Sequence, residues 1–429
     1  MVTLKHCPPP ALNGLVSIRM GSGAFVKRQR RLAHLERAVL EVRQSENAPV
    51  EWSICLAGSS VQSDESRFCI SVEHDTMGRI RLYLSSTHKF AVWKSAVNAC
   101  ARWVVSTHYV LQAQPFARGV FAAVYSAQPR GSTRCVAVKH ISASCARSVP
   151  HMVAREVGVC HVVEHHNIIR VHDVFESAEG VHIVMDRMAY SLQAVLDEMA
   201  PLKESDAAYI MYQLLSAVAY LHGINIVHRD VKPDNVLVSE MSSRPSSVKL
   251  CDFGLANFTS RRVQRISAKW VTCESWSTAH KEDKRFSSPM DLTQALSQGG
   301  VDLKQGEHRM SPIDGQTLTS AIGAPSFTAP EVVQRRAYGA PVDVWACGIS
   351  MFYMLTGALP FGGDKAADVL QRVAVDEVDV TRLMCAPLSS DAANLLRRLL
   401  NKDPRQRMTA DSALRHAWFA AHNVALSPA

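Results

Sequence analysis

The stretch His228-Arg229-Asp230-Val231-Lys232-Pro233-Asp234-Asn235 decides how this chain is read. Within it an acid is followed by a Lys two residues on and an Asn three further. It comes after a short, mainly apolar run, residues 224–227. A second such run, residues 248–250, leads into Asp252-Phe253-Gly254. Together these residues make a compact set of metal and proton ligands. Phosphoryl transfer needs such a set, because little covalent chemistry falls to the protein. The protein positions Mg²⁺-ATP and a hydroxyl and neutralises the charge between them.

The order H-R-D-x-x-x-x-N and then D-F-G resembles the protein kinase family. The resemblance covers residues 109–419 and implies a two-lobed α+β fold, ATP and Mg²⁺ as cofactors, and a protein substrate. It implies that Asp230 orients the acceptor hydroxyl and takes its proton. Lys232 then sits beside the γ-phosphate and points to Ser/Thr specificity. Asn235 and Asp252 hold Mg²⁺, a hard cation preferring oxygen ligands. Lys139 ends the strand motif Val136-Ala137-Val138-Lys139. In the family this Lys bonds the α/β-phosphates and pairs with a helical Glu, here Glu156. Residues 181–188 resemble the strand and hinge behind adenine, with Met185 as gatekeeper. Backbone near Asp186 and Met188 then bonds the base, and Val124 and Ala137 count as nucleotide-binding positions.

Two departures weaken the match. The family pattern over the phosphates is G-x-G-x-x-G-x-V. Residues 117–124 keep only Gly119, with Ala117 and Ala122 in place of the outer glycines. Glycine lets backbone approach a ligand closely, so weaker nucleotide binding is expected. In Gly323–Glu331, which resembles the substrate-docking end of the activation segment, Ala324 replaces the usual Thr or Ser. These changes keep open a catalytically weak pseudokinase scaffold, or a lipid-recruited adaptor. The intact set of Lys139, Glu156, Asp230, Asn235 and Asp252 opposes both. Glu331 is expected to pair with Arg407, and Asp343 to brace the catalytic loop. Leu399–Phe419 most resembles the calcium/calmodulin-dependent kinase group.

A Ser-, Thr-, Gln- and Lys-rich stretch, residues 260–316, lengthens the segment between Asp252 and Glu331 and is expected to be disordered. Ser320, with Thr319 and Thr317 as alternates, stands where the family places its activating phosphate. Arg229 is the expected partner, since guanidinium binds phosphate bidentately.

The 429 residues are 47% hydrophobic and 20% charged, which suits a globular protein with a real core. The longest apolar runs fall short of a membrane span, so no transmembrane segment is expected. Neither end carries a signal core or lipidation motif, and the 11 cysteines form no C-x-x-C pair. A reducing, cytoplasmic location is expected, without zinc or disulfides. Nothing points to nucleic acid as a partner.

Most of the net charge of +8 lies in residues 1–105, which hold 14 Lys/Arg against 8 Asp/Glu. That part suits an anionic partner. Its residues 68–72 and 80–84 alternate as strands, with His74–Gly78 as the hairpin turn. Residues 31–42 fit a strand or a helix. From His88 to Trp103 the period becomes helical, with Phe90, Trp93, Val97 and Cys100 on one face. Strands closed by one Trp-bearing helix resemble a pleckstrin-homology domain over residues 12–105. That implies a small β-barrel or sandwich capped by its C-terminal helix. The competing reading is a helix-capped β extension. Arg19, Lys27, Arg28 and Arg30 are then candidates for binding an anionic phosphoinositide membrane surface, making the protein peripheral there. A solvated basic loop or a protein-binding surface remains the alternative.

Overall fold

The computed structural model describes residues 11–20, 29–36, 38–74, 78–160, 162–177, 179–258, 325–378 and 388–424. The insertion expected over 260–316, together with Thr317, Thr319, Ser320 and Ala324, lies outside these residues, as do Lys27 and Arg28.

Seven strands open the chain: β1 (Leu12–Met20), β2 (Gln29–Glu36), β3 (Val39–Arg43), β4 (Val50–Cys55), β5 (Ser60–Asp64), β6 (Cys69–His74) and β7 (Gly78–Tyr83). They form one antiparallel sheet in the order β4-β3-β2-β1-β7-β6-β5. Residues 31–42 thus resolve into β2 and β3. Side chains alternate across a strand. Val16 and Ile18 of β1 and Ile80 and Leu82 of β7 are accordingly buried, while the residues between them face outward. Helix α1 (Thr87–Ala101) starts at Ser86, whose hydroxyl accepts from the Lys89 amide at 3.3 Å. It buries Phe90, Trp93, Ala96, Val97 and Cys100. Gly14 in β1 makes room for Trp93, since a Cβ there would lie 3.2 Å from the indole nitrogen.

A short helix, α2 (Val105–His108), leads directly into a five-stranded antiparallel sheet: β8 (Tyr109–Arg118), β9 (Ala123–Pro129), β10 (Val136–Ser142), β11 (Val171–Ser177) and β12 (Gly180–Asp186). Its order is β11-β12-β10-β9-β8. Helices α3 (Ala143–Ser148) and α4 (Pro150–Cys160) follow β10. The central strands β10 and β12 are apolar on both faces because both are covered. Ile141, Val181 and Ile183 pack with Val153 and Val157 of α4. On the other face, Val136, Val138 and Val184 share one core with the N-terminal sheet and α1. Trp103 and His108 close this seam against Phe175, with ring centroids 4.9 and 5.4 Å apart. The Tyr109 hydroxyl donates to buried Asp173. The N-terminal sheet is therefore built onto the small lobe rather than hung from it.

The large lobe contains β13 (Tyr190–Ser191), α5 (Leu192–Met199), α6 (Glu204–Gly223), β14 (Ile226–Val227), β15 (Val236–Val238), β16 (Val248–Leu250) and β17 (Asn257–Phe258). After the undescribed stretch come α7 (Pro330–Val333), α8 (Pro341–Thr356), α9 (Ala366–Val375), α10 (Ser390–Leu399), α11 (Ala410–Leu414) and α12 (Ala417–Ala421). Helix α8 is buried nearly all round, as suits a central core helix. A Cβ on its Gly348 would sit 2.7 Å from Leu400, so glycine permits the close approach of α10. The helix stops at Gly357, whose φ of 71° is the left-handed cap conformation. Buried Arg407 grips buried Glu331 through two bonds of 2.7 and 2.9 Å, tying the chain after α10 to α7.

Candidate active site

Three elements meet at one charge cluster. Lys139 on β10 lies 2.6 Å from a Glu156 oxygen on α4 and 3.1 Å from a carboxylate oxygen of Asp252, which follows β16. Burial pulls the Lys139 ammonium toward its neutral form, but the charges of Glu156 and Asp252 outweigh that and raise its pKa. Burial pushes Glu156 upward, with Lys139 opposing. The charge of Lys139 keeps Asp252 below the usual carboxylate range.

The second cluster lies on the loop between β14 and β15. Lys232 Nζ is 2.9 and 3.1 Å from the two Asp230 carboxylate oxygens. Asn235 Nδ2 donates at 2.8 Å both to the Asp230 side chain and to its backbone carbonyl. That leaves the Asn235 amide oxygen as its acceptor group. The Cys251 amide bonds the Asn235 carbonyl at 2.9 Å, and His228 Nε2 lies 3.0 Å from the Cys251 carbonyl. The two motifs are thereby laced side by side. Cys251 is half-buried, and burial raises the pKa of its thiol above the ordinary value.

Both motifs bend where few side chains do. Arg229 has φ 68° and Asp252 φ 64°. A non-glycine residue in the left-handed region costs on the order of 1–3 kcal/mol and persists only where its surroundings over-determine it. Buried Asp343 at the start of α8 supplies that constraint at Arg229. Its carboxylate accepts from the backbone amides of His228 and Arg229, both at 2.8 Å, and lies 2.9 Å from His222 Nε2. Burial alone would raise its pKa, but these partners hold it below normal.

The strand behind the slot places Ala137 and Val124 on paired neighbours, β10 and β9. Met185 is half-buried between the small-lobe core and the large-lobe core. The Asp186 carboxylate has three cationic or imidazole partners: Arg134 at 3.0 Å, His172 at 2.9 Å and Lys249 at 2.9 Å. These outweigh its burial and lower its pKa. Lys249 belongs to the large lobe, so this network fastens the hinge at both ends. The sequence reading missed it, and no local pattern marks it. Gly119 sits at the loop tip, its amide bonded to the Ala122 carbonyl at 2.8 Å.

A second omission lies beside the catalytic loop. Among the described residues, Arg155 Nε and Arg229 Nε and Nη2 are buried without hydrogen-bond partners. Burial and the neighbouring Arg229 charge lower the Arg155 pKa to about 10. Arg155 directly precedes Glu156, and that adjacency was its only signal. Elsewhere, β-sheet register sets Arg19 opposite Arg81 and Arg30 opposite Ser17, far from the slot in sequence.

The model of the protein kinase domain matches residues 112–289 and 306–419. The chain belongs to the protein kinase family. Calcium/calmodulin-dependent protein kinase type 1B of Homo sapiens is 28% identical over 303 residues, covering 70% of this chain and 72% of the relative. Myosin light chain kinase A of Dictyostelium discoideum is 27% identical over 310 residues, covering 71% of this chain and 86% of the relative. This kinase is a serine/threonine protein kinase, with protein as its substrate class. No helix among the described residues is long and apolar enough to cross a membrane.

Proposed function

We propose that the chain transfers the γ-phosphate of Mg²⁺-ATP to protein Ser/Thr hydroxyls through the two clusters above. The observation that carries this is the contact of Lys139 with both Glu156 and Asp252, because it joins both lobes at the phosphate position. Asp230 holds the acceptor hydroxyl and takes its proton, within hydrogen-bond reach. Lys232 neutralises charge beside it, and Lys139 bonds the nucleotide's phosphates. Asn235 and Asp252 offer hard oxygen donors at one edge. That donor set fits Mg²⁺, which takes few protein carboxylates and completes its shell with water and phosphate oxygens. Mg²⁺, when bound, neutralises phosphate charge as the reaction proceeds. Val124, Ala137, Met185 and the backbone at Asp186 and Met188 hold the base, and Gly119 covers the phosphates.

Regulation belongs to the same reading at two places. Residues 12–105 form a pleckstrin-homology-like module, a reading supported by the seven-strand order and the Trp93 helix. Its anionic lipid surface is carried by Arg19, Lys27, Arg28 and Arg30. The placement of Arg19 on β1 and Arg30 on the paired strand β2 supports this. The kinase domain occupies residues 109–419. The protein works in the cytoplasm and attaches peripherally to membranes. Arg155 and Arg229 receive the phosphate of Ser320 or Thr319, a reading supported by their unpaired guanidinium nitrogens.

Asp230→Asn and Lys139→Met should each abolish phosphotransfer to a generic basic protein while thermal melting stays near the parent's. Half the parent rate in either folded variant would contradict the role assignment.

Phosphate at Ser320 or Thr319 should raise activity, and Arg155→Ala should remove that gain without touching the unphosphorylated rate. Phosphopeptide mass spectrometry paired with rate measurement decides. Active protein bare at Thr317, Thr319 and Ser320 would sink the proposal.

Liposomes containing phosphoinositide should sediment the protein, and Arg28→Ala with Arg30→Ala should release it. Because the seam is a shared core, lipid should also change the phosphotransfer rate. A parent protein that ignores every anionic vesicle at low salt would leave residues 12–105 as a protein-contact module.

A further inference from the structure

Strand β8 carries the degenerate phosphate loop, and it is irregular just before that loop. Pro115 pairs with Tyr125 and Ala117 with Val124, so Phe116 is an extra residue with no partner across the strand. Such a bulge bends the strand and re-aims a side chain. Here the re-aimed ring meets the hinge. The Arg187 guanidinium lies over Phe116 with its carbon 3.7 Å from the ring centroid. Arg187 Nη1 also donates to the backbone carbonyl of Met188, which fixes the plane of the guanidinium.

The contact is unexpected from the sheet order. β8 is an edge strand, and β9 and β10 separate it from β12, the strand that ends at the hinge. An edge-to-hinge contact therefore spans the space below β9 and β10. Val124 and Ala137 lie on those two strands. The contact thus bridges the strands that carry two of the positions read above as base-binding.

We propose that Phe116 and Arg187 form a strap that holds the loop strand against the hinge and positions the nucleotide. The proposal rests on the nucleotide-binding reading above. It answers the loss of the outer glycines. A glycine-rich loop settles onto phosphates through its own backbone freedom, whereas Ala117 and Ala122 restrict that freedom. The strap supplies closure from the strand instead. Arg187 acts as a positioning residue, because it touches the strand and the hinge rather than the reacting phosphate. A planar, delocalised cation is what such stacking requires, and a Lys ammonium replaces it poorly.

The test uses the full chain and a fluorescent N-methylanthraniloyl-ADP with Mg²⁺, together with steady-state kinetics in ATP. Arg187→Ala should weaken nucleotide binding by roughly 3- to 30-fold, the range of a single cation–π contact between exposed and desolvated settings. KM for ATP should rise in step while kcat stays within about twofold, the signature of lost uniform binding. Phe116→Leu should do the same, and the double variant should be no weaker than the worse single one, because both remove one contact. Arg187→Lys should recover only part of the loss. Melting temperature checks that each variant is folded. Unchanged affinity in Arg187→Ala, or additive losses in the double variant, would overturn the strap. Tighter binding in Arg187→Ala would show a plug instead. A parent protein that binds no nucleotide would overturn the nucleotide reading and the strap with it, whereas parent binding with inert variants overturns the strap alone.

Discussion

Lys139 is the point on which the rest of the arrangement depends. Its ammonium sits between carboxylates from two different elements, α4 of the small lobe and the turn after β16. Lys139 and Glu156 are largely buried whereas Asp252 is nearly half exposed, and removing one partner of a buried pair such as Lys139 with Glu156 typically costs about 3–5 kcal/mol. The pairing therefore pulls α4 inward and draws the large-lobe motif up to the small lobe. Neither Glu156 nor Asp252 has another cation among the described residues within ion-pair distance. The second fastening, at Asp186, works at the opposite side of the slot. With both in place the lobes are held front and back, and the proposed nucleotide site lies between.

Backbone strain is the cost of placing the reactive side chains. Arg229 and Asp252 both occupy left-handed conformations beside the residues that would do chemistry. Asp343 offsets one of them by bonding two successive amides from below. Gly254 follows the other, and its amide lies 3.4 Å from Asp252 Oδ1. The small lobe is stiffened from its outer face as well, since the N-terminal sheet lends it a core through Trp103, Tyr109 and Phe175. A change in residues 12–105 has a packed route to β10, and β10 carries Lys139.

Much of this was legible in sequence where residues close in the chain act together. The catalytic loop and Asp252-Phe253-Gly254 are contiguous, and the α1 face shows in the three-and-four spacing of Phe90, Trp93, Val97 and Cys100. The pairing of Glu331 with Arg407 and the bracing by Asp343 came from the family resemblance, not from local pattern. Residues 31–42 were ambiguous because their turn passes through Ala38 at φ 65°, with no Gly, Asn or Pro to mark it. The Asp186 network was hidden because Arg134, His172 and Lys249 converge from three separate strands or loops. The Phe116–Arg187 contact depends on a one-residue bulge, which no period-two pattern can announce.

The most direct measurement is the rate of phosphotransfer by Glu156→Gln beside the parent. The substitution keeps size and hydrogen bonding but removes the charge that draws α4 to Lys139. The account predicts a rate at least about tenfold lower, with KM for ATP raised and the melting transition still cooperative. A folded Glu156→Gln protein with the parent's rate and KM would show that the ion cluster does not assemble the site.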